Sequence, residues 1–153
     1  MRSIQRRAML LALLANLAFV GRAEDHPNFS GTWRSGNVTL RIDHRDPLLT
    51  VETTILRGSG APRHALQHYT VDGKVSVSTG ADGDEFHTSA VWDGQGLTLS
   101  IEEHEDGRIL QSTERWTLLE NGKSLQRARE RSSGEKRTLL CLRQPGLYFR
   151  KKK

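Results

Sequence analysis

Leu125, Arg127, Arg129 and Arg131 occupy alternate positions near the end of the chain, and no other pattern in it carries as much chemistry. In an extended strand all four share one face. If Leu125 faces a core, Arg127 and Arg129 face it too, and a buried guanidinium without an anionic partner is strongly destabilising. Glu114 shares a face with Trp116 and Leu118 on the long extended stretch that precedes the row, so it is a candidate partner for Arg127. Three arrangements fit. The ordinary outcome for such a row is a basic outer face, with the strand twisted or bulged after Leu125. The others are an internal ion pair and an anion-binding pocket in which Glu114, Arg127 and Arg129 meet a polar ligand head.

Other reactive residue types lack the spacing that chemistry needs. His64 and His68 would share a strand face but stand roughly 13 Å apart, too far to hold one ion. His26, His44, His87 and His104 have no metal-ligand spacing either, so the six histidines read as surface residues and no metal or other cofactor is expected. Glu102 to Asp106 reads as an acidic, solvated tip. Ser59 lies in Gly58-Ser59-Gly60, without the wider glycine frame or the following helix of a nucleophile elbow. The same glycines, with no helix behind them, make no phosphate cradle. No catalytic set emerges, and a non-enzymatic protein is expected. Cys141, the single cysteine, lies in the apolar stretch Leu139 to Leu142 and reads as a small buried side chain.

The ends of the chain account for its basic character. Residues 1–23 hold Arg2, Arg6 and Arg7, an apolar run from Ala8 to Val20, and Gly21-Arg22-Ala23. That is the pattern of a secretory signal peptide, helical in its apolar run and cut after Ala23. Arg6-Arg7 also suits a twin-arginine leader. The apolar run has 13 residues, whereas a bilayer span needs about 20, so no transmembrane segment is expected after cleavage and the mature chain is expected to be secreted or periplasmic. The whole chain carries +5, but residues 24–149 hold 15 basic against 18 acidic residues, and Arg150 to Lys153 form a basic tail. A domain of net −3 has no nucleic-acid footprint. About 130 mature residues make one domain, spanning 24–149, expected to be a monomer.

The rest of the chain is a succession of short alternating segments. Val38, Leu40 and Ile42 alternate with polar residues, as do Leu49, Val51, Thr53 and Ile55, then Phe86, Thr88, Ala90 and Trp92, then Leu97, Leu99 and Ile101. Asp72-Gly73, Asp93-Gly94, Asp106-Gly107 and Asn121-Gly122 separate segments as hairpin turns. This predicts eight to ten antiparallel strands and no crossover helix. A sheet that large closes to protect its edges. The expected fold is all-β, an antiparallel up-and-down barrel, with Trp33 plugging it where the first strand begins. A two-sheet sandwich is the other architecture that fits.

Asn28 to Trp33, with its Gly-x-Trp, resembles the opening of lipocalin-like and fatty-acid-binding-like barrels of the calycin type. Together with Val91-Trp92-Asp93-Gly94, Thr113 to Leu118 and Asn121-Gly122-Lys123, it resembles small exported bacterial proteins of unassigned function, over most of residues 26–143. The resemblance implies a barrel with an internal pocket for a small apolar or amphipathic ligand. It also implies an arginine covering the first-strand tryptophan, the place Arg143 would take over Trp33. The Thr-Asp-Tyr motif of lipocalins and the lid helices of fatty-acid-binding proteins have no counterpart here. The expected lining is Trp92, Trp116, Phe86, Leu97, Leu99, Ile101 and Val51, with Glu114, Arg127 and Arg129 as its polar members. The competing expectation is an envelope-associated interaction domain with a packed core and no small-molecule ligand.

Overall fold

The computed structural model describes residues 25–146. The expected leader and the tail Arg150 to Lys153 lie outside the described residues. Ten antiparallel strands follow one another: β1 (Gly31–Ser35), β2 (Val38–Arg45), β3 (Leu48–Ile55), β4 (Arg63–Thr70), β5 (Ser76–Thr79), β6 (Glu85–Asp93), β7 (Gly96–Glu105), β8 (Arg108–Leu119), β9 (Ser124–Arg131) and β10 (Lys136–Arg143). Among the described residues no helix is long and apolar enough to cross a membrane. The sheet order is β4-β3-β2-β1-β10-β9-β8-β7-β6-β5. Apart from β4 and β5, consecutive strands therefore pair with one another, as short hairpins dictate. The added pairing, β1 with β10, joins the two ends of the domain through Trp33 opposite Arg143 and Arg34 opposite Leu142. The result is a nearly closed up-and-down barrel.

One expected hairpin does not form. Asp72-Gly73 should join β4 to β5 as a tight turn, yet these two strands are the edges of the sheet and share no ladder. Competing backbone partners explain this. Val71 donates its N–H to the Pro47 carbonyl at 2.9 Å, Gly73 donates to the Ala90 carbonyl at 2.9 Å, and Asp72 bridges to Val91. The segment is thereby pinned to the β2–β3 turn and to the end of β6, and β5 begins only at Ser76 with four residues. Across the resulting seam Gln67 Nε2 donates to Ser78 Oγ at 3.5 Å.

Strand alternation sends one row of each strand inward. Leu40, Ile42, Leu49, Val51, Ala90, Leu97, Leu99, Ile101, Trp116, Leu125 and Cys141 are all buried. They gather toward the end of the barrel where β1, β3, β7 and β9 begin. Residues 25–30 fold across that end. Phe29 is fully buried there, donating its N–H to His44 Nδ1 at 3.2 Å and accepting from Trp33 Nε1 at 2.9 Å. His26 stacks on Trp92 with ring centres 4.2 Å apart.

Trp33 is the plug of this closed end and is fully buried. Burying an indole contributes at most about 4–6 kcal/mol by area. The Arg143 guanidinium lies 4.1 Å from its ring centre and donates to the carbonyls of Gly122 at 2.7 Å and Ser30 at 2.8 Å. A stack of this kind contributes about 0.5–2 kcal/mol. It also leaves no room at Gly31, which has φ +141° and where a Cβ would stand 2.7 Å from Arg143 Nη1.

Two outcomes check this description. Gly31→Ala should lower stability by about 1–3 kcal/mol, from backbone strain and displacement of Arg143, read as a lower denaturant midpoint. Hydrogen exchange should be fastest at β5 and along the seam-facing edge of β4, and slowest in β7 and β8, which have paired strands on both sides. Equal protection of β5 and β7 would contradict the open seam.

Candidate functional site

The arginine row faces into the barrel, not outward. The strand keeps its alternation through Arg131, so Arg127 stands opposite Trp116, Arg129 opposite Glu114 and Arg131 opposite Ser112 on β8. The basic outer face expected for this row is therefore corrected. The physical reason lies on the neighbouring strands, which carry enough inward acid to hold the guanidinium groups.

The deepest rung is Glu114 with Arg127. Arg127 Nε and Trp116 Nε1 both donate to Glu114 Oε1, each at 2.5 Å, and the Arg127 guanidinium lies 4.9 Å from the Trp116 ring centre. Above it, Arg129 donates from Nε to Ser112 Oγ at 2.9 Å and from Nη2 to Glu103 Oε2 at 3.1 Å. At the rim, Arg131 Nη2 lies 3.6 Å from the same Glu103 oxygen, and its Nη1 lies 3.8 Å from Glu135. Glu135 is held more closely by Arg137 at 2.7 Å. Side-chain exposure rises along the row, from 23% at Arg127 to 26% at Arg129 and 34% at Arg131, while Glu114 shows 5% and Glu103 10%. The row thus climbs from the packed end toward solvent at the open end.

Burial alone pushes the Glu114 carboxyl up. The Arg127 charge and the hydrogen bonds from Arg127 and Trp116 outweigh that and hold it below the usual glutamate range, ionised. Tyr69 on β4 faces the same charges; burial, partly opposed by Arg127, raises its phenol well above the ordinary value, so it stays a neutral hydroxyl. Burial likewise raises the Cys141 thiol, and the side chain is fully buried, which makes it a packing residue rather than a nucleophile.

The residues expected to line a pocket separate into two groups. Trp116 is 1% exposed and its indole is committed to Glu114 and to an edge contact with Phe29, ring centres 5.8 Å apart. Trp92 is partly exposed but lies in the closed end, stacked on His26 and Phe29. Leu97, Leu99, Ile101 and Val51 are packed core. Phe86 stands at the opposite, open end, across from Glu103 and resting on Gly80. Arg129 is there with it. Trp33 and Arg143 form the seal already described.

Sequence reasoning passed over Glu103, Ser112 and Tyr69. Glu103 continues the inward row Leu97, Leu99, Ile101, and Ser112 precedes Glu114 and Trp116 by the same spacing, so strict alternation would have found both. Glu103 was hidden by its acidic neighbours, and the solvated acidic tip is corrected: Glu103 is buried. The histidines also need correction. His44 is 5% exposed and sits within hydrogen-bond reach of Asp46 at 2.9 Å. His64 and His68 are outward and exposed, each against a threonine.

Comparison with protein-family models and with curated proteins finds no match for this chain.

Glu114→Gln keeps an acceptor for Trp116 but removes the charge facing Arg127. It should cost about 3–5 kcal/mol, and pairing it with Arg127→Met should restore most of that loss. The pH dependence has a definite sign. A glutamate depressed in the folded state contributes stability that is complete above the ordinary carboxylate range and is lost as the pH falls through its lower folded value. Denaturation midpoints measured down that range should therefore fall more steeply for the parent protein than for Glu114→Gln.

Proposed function

We propose that the protein is an exported, non-enzymatic carrier that holds a small amphipathic molecule in the open half of its barrel. The ligand's acidic group would meet Arg129 and Arg131, and its apolar part would lie against Phe86, Ile55 and Leu139. Export rests on the leader pattern of residues 1–23. The lipocalin-like resemblance supports the same reading, now moved away from Trp92 and Trp116.

One observation carries the proposal. At the open end Arg131 comes no closer than 3.6 Å to Glu103 and 3.8 Å to Glu135, although Asp82 and Asp84 add carboxylates beside Glu103. Glu103 is shared by two guanidinium groups. Arg129 and Arg131 therefore keep guanidinium N–H donors that an anionic head can take. The inward side chains around them, Thr53, Ile55, Gln67, Ser78, Phe86 and Leu139, are only partly buried, whereas the same rows are fully buried toward the closed end.

A second reading, an interaction domain with a packed core, is supported by Leu140 and Leu142. They lie two apart on the outer face of β10 and are 50% and 56% exposed.

Anilinonaphthalene sulfonate and its neutral analogue N-phenylnaphthylamine separate the two. The sulfonate should bind with enhanced fluorescence, and Arg129→Gln should weaken it about tenfold or more, as expected for a lost charge-assisted hydrogen bond. The neutral probe should be much less affected. No saturable binding of either probe, or equal binding of the sulfonate to parent and variant, would favour the packed-core reading.

A further inference from the structure

We propose that the outer face of β6 and β7 carries a binding site for one divalent transition-metal ion of the zinc or copper type, held by Glu85, His87 and His104. This site is on the opposite side of the wall from the arginine row and does not depend on the interior reading.

The pairing of the two strands builds it. Glu85 stands opposite His104 and His87 opposite Glu102, so four outward side chains form a two-by-two grid of alternating carboxylate and imidazole. The sequence separations, two within a strand and about seventeen between the histidines, match no short metal motif. Only the register brings the groups together. The imidazoles of His87 and His104 are stacked with ring centres 4.4 Å apart and planes 16° from parallel. Glu85 Oε1 is 2.7 Å from His87 Nε2, and Glu102 Oε2 is 3.9 Å from His104 Nε2. One donor atom from each of Glu85, His87 and His104 falls within 4.8 Å of the others.

Two features point to an ion rather than a hydrogen-bonded cluster. His104 Nε2 is buried and has no hydrogen-bond partner, which leaves a ring nitrogen without the contact that burial ordinarily demands. The donors are two imidazole nitrogens and a carboxylate, the borderline set that zinc and copper prefer over calcium or magnesium. Tetrahedral donors at about 2.0–2.1 Å from zinc lie roughly 3.3–3.5 Å from one another. The present donors, all within 4.8 Å of one another, would have to close to that range by rotation of the His87 and His104 rings. The donors stand on paired strands rather than on a loop, so little order has to be imposed on binding.

The fourth position falls to Glu102 or to a molecule from solution. His87 and Glu102 border an outward trough of about 890 Å³ that also takes in Ser89, Ser100 and Thr113. Ser89 faces Ser100, and Ser100 faces Thr113, across the strands. An ion on the grid would therefore lie beside a row of hydroxyl groups.

The test uses the untagged full-length chain, stripped with a chelator and titrated with zinc sulfate against a chromophoric zinc indicator. One ion per chain is expected. His104→Ala and Glu85→Gln should each weaken binding at least about tenfold, while a His64→Ala, His68→Ala control should bind like the parent. Cobalt loaded in place of zinc should give visible absorption bands that His104→Ala removes. His87→Gln, which keeps a polar side chain on the strand, gives a second reading if His104→Ala is poorly folded. Absence of zinc and copper binding, or zinc affinity unchanged in Glu85→Gln and His87→Gln, would overturn the proposal.

Discussion

Arg127 lies inside a β-barrel, and that is tolerable because Glu114 meets it at 2.5 Å. A guanidinium taken out of water needs an anion, and β8 supplies it at an inward position: Glu114 accepts from Arg127 and is fixed by a second hydrogen bond from Trp116, whose ring also lies against the guanidinium. The pair divides the interior. Toward the closed end it is the last polar layer before Trp116, Leu125, Cys141 and Trp33, all essentially without solvent exposure. Toward the open end it starts a polar ladder whose members become progressively wetter.

The closed end is a solid aromatic plug, not a pocket. Phe29 stacks with Trp92 and His44 and meets Trp116 edge-on, and its backbone ties in His44 and Trp33 by hydrogen bonds. Filling this end matters mechanically. The barrel is closed between β1 and β10 by only two registered residue pairs, and it is unpaired between β4 and β5. Arg143 strengthens the short β1–β10 junction by spanning Trp33, Ser30 and Gly122. The seam has no such clamp, so the stiff and soft parts of the wall lie at different places around the circumference.

The two faces of the β6–β9 wall hold different chemistry in the same residues' register. Inward, Glu103 and Ser112 serve the arginine ladder; outward, Glu85, His87 and His104 gather on the neighbouring positions of β6 and β7. Alternation makes this possible, because a shift of one residue moves a side chain through the wall. Glu102 and Glu103 illustrate it: adjacent in sequence, one borders the outer trough and the other is buried against Arg129.

Local chemistry written along the chain was enough for the hairpins at Asp93-Gly94 and Asp106-Gly107, the inward rows of β2, β3, β6 and β7, and hence a closed antiparallel barrel. Those features depend on neighbours two to four residues apart, where period and turn preference act directly. The Glu114–Arg127 partnership was legible as a possibility, because both residues lie on inward rows of consecutive strands. The direction of the arginine row, the missing β4–β5 hairpin and the His87–His104 stack were not. Each depends on partners far away in sequence: Glu103 for Arg129, Pro47 and Ala90 for the backbone of residues 71–73, and the β6–β7 register for the two imidazoles. Which groups compete for a backbone N–H, and which charges face one another across a wall, are settled only when the strands have paired, since a hydrogen bond or an ion pair depends on distance in space and not on separation along the chain.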